Sequence, residues 1–136
     1  MNDLVAKPVA SATVLSEPYW QGLQNGKLLL QACAGCGVLR HYPRLLCDRC
    51  YSDGVHWQAA CGRGLIHSWT VAHHAFHPGF AEDLPYTLVT VALVEGPRAL
   101  GRWWGAAAAL DLPVRARFDV VGTRVELAFE PDPDDR

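Results

Sequence analysis

From Leu65 onward the chain is written in short runs with apolar and polar positions in alternation, the period of a half-buried strand. Leu65–Ala75 is rich in branched and aromatic residues, and Tyr86–Val94 reads Tyr-Thr-Leu-Val-Thr-Val-Ala-Leu-Val. Glu95-Gly-Pro97 is a turn, after which Arg98–Trp104 returns. Gly105–Leu110 is a short helix or a plain connection, and Val114–Val121 and Arg124–Glu130 form a last hairpin around Gly122-Thr123. Five strands, with one connection between the third and fourth, fit a small barrel of the OB type. Gly62-Arg-Gly64 predicts a bulge or tight bend at the entry to the first of them.

The first half carries a different pattern. Residues 1–15 are small, apolar and aperiodic, and read as a flexible lead-in. Ser16-Glu-Pro-Tyr-Trp20 reads as a helix start, with Ser16 as cap and Pro18 in the first turn; Asn25-Gly26 is the stop. So short a helix is marginal alone and must pack on something. Lys27–Gln31, Val38–Tyr42 and Val55–Ala59 read as short strands, the first two flanking a tight knuckle and Pro43 ending their hairpin.

That knuckle is Cys33-Ala-Gly-Cys36, and a second, Cys47-Asp-Arg-Cys50, follows ten residues later. Each C-x-x-C turn gathers two thiolates at one point, and two such turns make a tetrahedral four-cysteine site for Zn2+. Gly35 and Gly37 suit the cramped first turn. Disulfides or separate buried thiols are the competing assignment, but they seldom show this spacing. With all four ligands from protein, no position is open to water or substrate, so the ion is structural. The resulting fold class is mainly β: an N-terminal helix, a rubredoxin-like four-cysteine zinc ribbon, then a C-terminal five-stranded OB-fold barrel. The boundaries fall at 1–26 for lead-in and helix, 27–60 for the ribbon, 61–130 for the barrel and 131–136 for an acidic tail.

Composition narrows the function. Of 136 residues half are hydrophobic and 19% charged, which supports a folded core. The net charge of −2 argues against a general nucleic-acid binder. Lys27–Trp69 holds five basic and two acidic residues, while Thr70 onward holds six basic and ten acidic, so the ribbon is mildly positive and the frayed end acidic. The first 15 residues lack the basic start and apolar run of a signal peptide, and no apolar stretch is long enough to span a bilayer. Zinc thiolates need reduced cysteines, which places the protein in the cytoplasm. Cys61 reads as a small buried residue.

Taken in order, Pro18-Tyr-Trp-Gln-Gly-Leu23, Gly26-Lys-Leu-Leu-Leu-Gln-Ala-Cys33, Tyr42-Pro-Arg44, Cys47-Asp-Arg-Cys50, Gly62-Arg-Gly64, Ser68-Trp-Thr70, Leu84-Pro-Tyr86 and Glu95-Gly-Pro-Arg98 closely resemble the zinc-ribbon plus OB-fold proteins associated with acyl-CoA enzymes. The resemblance runs from about residue 16 to 130. It implies a small companion of thiolase-type enzymes, or of hydratases or aldolases acting on CoA thioesters. It also implies a stable complex with a thiolase-fold homodimer, in which the partner supplies the nucleophile and the small chain supports CoA-thioester binding or transfer. Cys61 and the acidic tail depart from the family pattern.

The chain offers no Ser elbow, phosphate loop or Cys/His dyad, so no catalytic residue is assigned. His73, His74 and His77 are the best candidates for a second metal, but neighbours on a strand point to opposite faces, and ordinary loop histidines are the simpler reading. Arg40, Arg44 and Arg63 have the fork geometry to meet CoA phosphates, against the alternative of solvated edge charges. Tyr19, Trp20, Trp103 and Trp104 are the candidate partner interface. Trp103 and Trp104 cannot both point inward on a strand, so one faces out. The leading expectation is a non-catalytic accessory subunit of a thiolase-like complex, or of a related acyl-CoA lyase, aldolase or hydratase, with Zn2+ as cofactor and acyl-CoA at the shared surface. A nucleic-acid-binding ribbon and barrel is the alternative, disfavoured by the acidic second half, and a self-contained metal enzyme on the histidine loop comes third.

Overall fold

The computed structural model describes residues 6–133; the expectations for residues 1–5 and 134–136 lie outside them. One helix and eight strands follow in order: α1 (Glu17–Gln24), β1 (Leu29–Cys33), β2 (Leu39–Arg40), β3 (Val55–Ala59), β4 (Arg63–Ala72), β5 (Tyr86–Leu93), β6 (Arg98–Trp103), β7 (Pro113–Val121) and β8 (Arg124–Pro131). A 3₁₀ turn over Pro78–Asp83 joins β4 to β5. The first three strands make an antiparallel sheet in the order β2-β1-β3, and the other five close into a barrel, β4-β5-β6-β8-β7. The fold class is thus the expected one.

Helix α1 stops where the glycine requires. Gly26 has φ 70°, the Lys27 N–H returns to the Gly22 carbonyl at 2.8 Å, and the Gly26 N–H to the Leu23 carbonyl at 3.0 Å, a Schellman ending. Its start differs from expectation. Ser16 stands at the N-cap position, but its hydroxyl caps no helix N–H; it takes the Thr13 N–H at 2.9 Å and meets the Thr13 hydroxyl at 3.0 Å. The upstream threonine outcompetes the helix for that oxygen.

The helix buries Tyr19 and Leu23. They join Leu28 and Leu30 from the base of the ribbon and Ile66, Val89, Val91, Trp103, Val114 and Phe129 from the barrel in one apolar cluster. The same core therefore serves all three parts, and the helix gains there the stability it lacks alone.

Barrel closure rests on two seams. β7 pairs with β4 through Val114 and Gly64, and β6 pairs with β8 in parallel through Arg102–Ala128 and Trp103–Phe129. The register irregularity on β4 lies between Ile66 and Ser68, not at Gly62-Arg-Gly64. Gly62 instead makes the bend, with φ 80°. Gly105–Leu110 is an irregular connection, tied by the Trp103 indole N–H to the Ala106 carbonyl at 2.6 Å. At the end of the barrel β8 continues to Pro131, and Asp132 follows with its N–H on the Pro113 carbonyl at 3.1 Å. The tail is therefore tied down through residue 132, further than the acidic composition suggests. No helix among the described residues is long and apolar enough to cross a membrane.

Candidate metal centre and binding surfaces

The two C-x-x-C turns are built alike. In the first, the Gly37 N–H closes on the Cys33 carbonyl at 2.9 Å and the Gly35 N–H on the Cys33 sulfur at 3.3 Å. In the second, the Tyr51 N–H closes on the Cys47 carbonyl at 3.0 Å and the Arg49 N–H on the Cys47 sulfur at 3.4 Å. Gly37 has the positive φ expected of it; Gly35 does not, and its lack of a side chain serves room instead, since a Cβ there would sit 3.1 Å from the Cys50 sulfur.

The four sulfurs of Cys33, Cys36, Cys47 and Cys50 lie within 4.8 Å of one another. Cys33 and Cys50 are 3.5 Å apart and Cys36 and Cys47 3.6 Å, far beyond a disulfide bond of about 2.05 Å. Four sulfurs at about 2.3 Å from one Zn2+ would stand close to this spacing, so the donor set fits the ion. The backbone already favours thiolates. The Cys36 N–H, followed by that of Gly35, holds Cys33 down to about 6, and the Cys50 and Arg49 N–H groups lower Cys47. The Ser52 N–H pulls Cys50 the same way, but Cys33, burial and the other two sulfurs outweigh it and push Cys50 up to about 11. Without a cation Cys33 and Cys50 are not charged together at neutral pH, and a divalent ion would remove that conflict. This cluster is capable of holding a structural Zn2+. Among the described residues it is the one group of three or more Cys, His, Asp or Glu with such geometry.

The histidines expected on a strand lie past its end, because β4 stops at Ala72. His77 caps the 3₁₀ turn, its Nδ1 accepting the Gly79 N–H at 3.0 Å, and His74 stands edge-on to Phe76. Cys61 is exposed, contrary to expectation, with its N–H on a Glu95 carboxylate oxygen at 2.7 Å.

The three arginines are not equivalent. Arg40 is only 5% exposed, with Nε on the Gln31 side-chain oxygen at 2.7 Å and Nη2 on the Arg44 carbonyl at 3.3 Å. Its guanidinium is a brace inside the ribbon, with Nη1 left without a hydrogen-bond partner among the described residues. Arg44 is exposed and stands 3.8 Å from Asp48. Arg63 opens β4 and pairs with Asp132 at 3.4 Å.

The aromatic candidates also divide. Trp103 is 6% exposed and belongs to the core; Trp104, at 39%, faces out, so one of the adjacent pair points each way. Tyr19 is buried, edge-on to Trp20 at 5.1 Å, and Trp20 is partly buried against the core. Of the four, Trp104 is the one with a broad outward face. Arg102 lies 4.4 Å and Arg117 4.8 Å from its ring centre, and its indole N–H reaches Asp119 at 2.6 Å. Those cations are themselves paired, Arg102 with Asp83 at 2.7 Å and Arg117 with Asp119 at 2.6 Å. Trp104 and its neighbours border a groove of about 940 Å³ on the outside of the barrel. The sequence carries a signal for it: Leu100 and Arg102 alternate along β6 with buried Ala99, Gly101 and Trp103, and Trp104 follows just past the strand's end.

Comparison with known proteins follows this division. Residues 20–56 match the ChsH2 rubredoxin-like zinc ribbon domain, and residues 57–130 the ChsH2 C-terminal OB-fold domain. The chain is 36% identical over 89 residues to a probable enoyl-CoA hydratase alpha subunit of Thermomonospora curvata, covering 65% of this chain and 27% of that protein. It is 32% identical over 117 residues to the 3-oxo-4,17-pregnadiene-20-carboxyl-CoA hydratase alpha subunit of Mycobacterium tuberculosis, covering 84% and 37%. The chain thus spans well under half the length of these relatives. Among solved structures it is similar to a chain of the Ltp2-ChsH2(DUF35) aldolase, with TM-score 0.82, 28% identity and coverage of 90% and 98%. A DUF35-family protein of unknown function from Sulfolobus solfataricus shares the fold, with TM-score 0.62, 15% identity and coverage of 88% and 86%. With the OB model alone covering more than half of the chain, and the ribbon model adjoining it, the protein belongs to the ChsH2 (DUF35) family of zinc-ribbon and OB-fold proteins.

Proposed function

We propose that this chain is a non-catalytic accessory subunit of a thiolase-type acyl-CoA enzyme, or of a related aldolase or hydratase, with Zn2+ held by Cys33, Cys36, Cys47 and Cys50 as scaffold. The observation that carries the reading is the closed all-cysteine cluster in a chain of this family. A shell of four cysteines leaves a metal no vacancy for substrate, so the ion's part is to hold the two knuckles together. The chemistry then belongs to the partner. The names of the relatives support an acyl-CoA setting: two are hydratase alpha subunits of CoA thioesters, and the solved chain comes from an aldolase. Arg44 and Arg63 are exposed enough to meet CoA phosphates at a shared surface, whereas Arg40 is committed to the ribbon. The nucleic-acid alternative loses support from the outer groove, where Arg102 and Arg117 are neutralised by Asp83 and Asp119.

The test is recovery of the tagged chain from its native cells, with the partner identified by mass. A thiolase-fold or other acyl-CoA enzyme in fixed ratio is the expected result. Recovery as a lone chain that turns over a thioester unaided would contradict it. Cys33→Ser should abolish both zinc binding and assembly, because metal binding supplies on the order of 10 kcal/mol of folding free energy in comparable small zinc modules.

A further inference from the structure

The groove beside Trp104 runs over β5, β6, β8 and β7, between the 3₁₀ turn after β4 and the Gly122 turn between β7 and β8. In OB barrels generally, this face and the two loops that flank it hold ligands. Here the flanking loops already hold something: the chain's own residues 6–9. At one end Lys7 reaches Asp83 at 3.2 Å, sharing that carboxylate with Arg102, and its ammonium stands 6.0 Å from the centre of the Phe80 ring. The backbone is equally close. A Cβ on Gly79 would lie 2.6 Å from the Ala6 carbonyl oxygen and 2.7 Å from the Lys7 Cα, so only glycine lets the segment in. At the other end a Cβ on Gly122 would lie 2.8 Å from Val9 Cγ2. The segment read as a flexible lead-in is thus keyed to both loops.

Charge says what else would fit. With Lys7 in place, three cations (Lys7, Arg102, Arg117) face three acids (Asp83, Asp119, Glu126). Remove Lys7 and the groove is left with an excess acid. It is then matched to a cation-bearing segment and not to a phosphate. The apolar floor, with Leu88, Leu100 and Val120, suits an extended chain carrying branched side chains. We propose that this face is a peptide-recognition groove, that residues 6–9 run along its edge as a removable strap pinned to both loops, and that a lysine-bearing extended segment of a partner chain enters by taking the strap's place. Asp83 reads the lysine, and Gly79 and Gly122 admit the backbone and the apolar side chain two residues on. The strap holds Asp83 and the Gly79 and Gly122 contacts until a competing segment takes them over.

The probe is a fluorescent, N-acetylated peptide of residues 6–13, titrated against the full chain. Lys7→Glu sets the strap's charge against Asp83; Val9→Asp removes the strap's apolar contact at Gly122 without touching the groove, and so releases it by an independent route. Both variants should bind the peptide about tenfold more tightly than the wild type, because the competent open state is no longer a minor one. Adding Asp83→Asn to Lys7→Glu should remove that gain, and a peptide with Glu in place of its Lys should not bind. Backbone 15N relaxation should show residues 7 and 9 as ordered as the barrel in the wild type and mobile in both variants. Equal affinity of wild type and variants, no binding by either folded variant, or a mobile strap in the wild type would each overturn the proposal.

Discussion

Gly37 and Tyr51 hold the same place in the two knuckles, one residue past the second cysteine, and both have left-handed backbone, with φ 77° and 61°. One is the residue suited to that conformation, and the other bears a strain cost for its side chain. A Cβ at Gly37 would touch nothing within 4 Å, so Gly37→Ala tests the backbone alone. It should destabilise the metal-loaded chain by about 1–2 kcal/mol. Tyr51→Gly should change stability by less than about 1 kcal/mol and in the favourable direction. Denaturant melts of the zinc-loaded variants decide both.

The ribbon sheet is braced by a buried polar pair. The Gln31 side-chain oxygen takes both Arg40 Nε at 2.7 Å and the Arg44 N–H at 2.8 Å. Gln31→Leu would leave a buried guanidinium and a backbone N–H without that acceptor, at a cost of roughly 1.5–3 kcal/mol. Arg44→Ala, which removes only an exposed charge, should stay within about 0.5 kcal/mol. The two melts side by side separate a brace from a surface charge.

His41 gives the chain a pH dependence. Burial holds its imidazole down to about 4, below the ordinary 6.5. Between those values the unfolded chain binds the proton and the folded chain does not. The histidine's effect is therefore absent above about 6.5, and stability falls as pH drops toward 4, by about 1.4 kcal/mol per pH unit. His41→Phe keeps a ring beside Tyr19 and Tyr42 and removes the proton site. Acid loss of zinc affects both chains alike, so the difference between them isolates the histidine. The variant's advantage should grow from pH 6.5 to pH 5; a constant difference would show that His41 is not the group concerned.

Adjacent tryptophans should behave oppositely. Trp103→Ala empties the barrel core and should cost about 3–5 kcal/mol. Trp104→Ala removes an outward ring held by Arg102 and Arg117, and should cost about 1 kcal/mol or less. Equilibrium unfolding of each variant checks the contrast.

These contrasts also mark what can be read from sequence. The cysteine spacing and the strand alternation were legible because each reflects one dominant constraint, a tetrahedral ion or a two-faced sheet. Trp103 and Trp104 were legible as a pair but not individually, since alternation gives opposition and not direction. Ser16 stands at the cap position the sequence predicts but makes no capping bond, because Thr13, three residues earlier, engages its hydroxyl. Arg40 looks in sequence like its exposed neighbours; only the fold brings Gln31 from β1 against it. The 3₁₀ turn at Pro78–Asp83 and the strap across it depend on contacts between residues some seventy positions apart, such as Lys7 and Asp83, which no local pattern records.

The most direct measurement is X-ray absorption at the zinc edge on the freshly purified chain. Four sulfur scatterers at about 2.3 Å, and no lighter atom, are the expected shell. A nitrogen or oxygen ligand at about 2.0 Å in place of one sulfur would reveal an open position on the metal and contradict the assignment of scaffold.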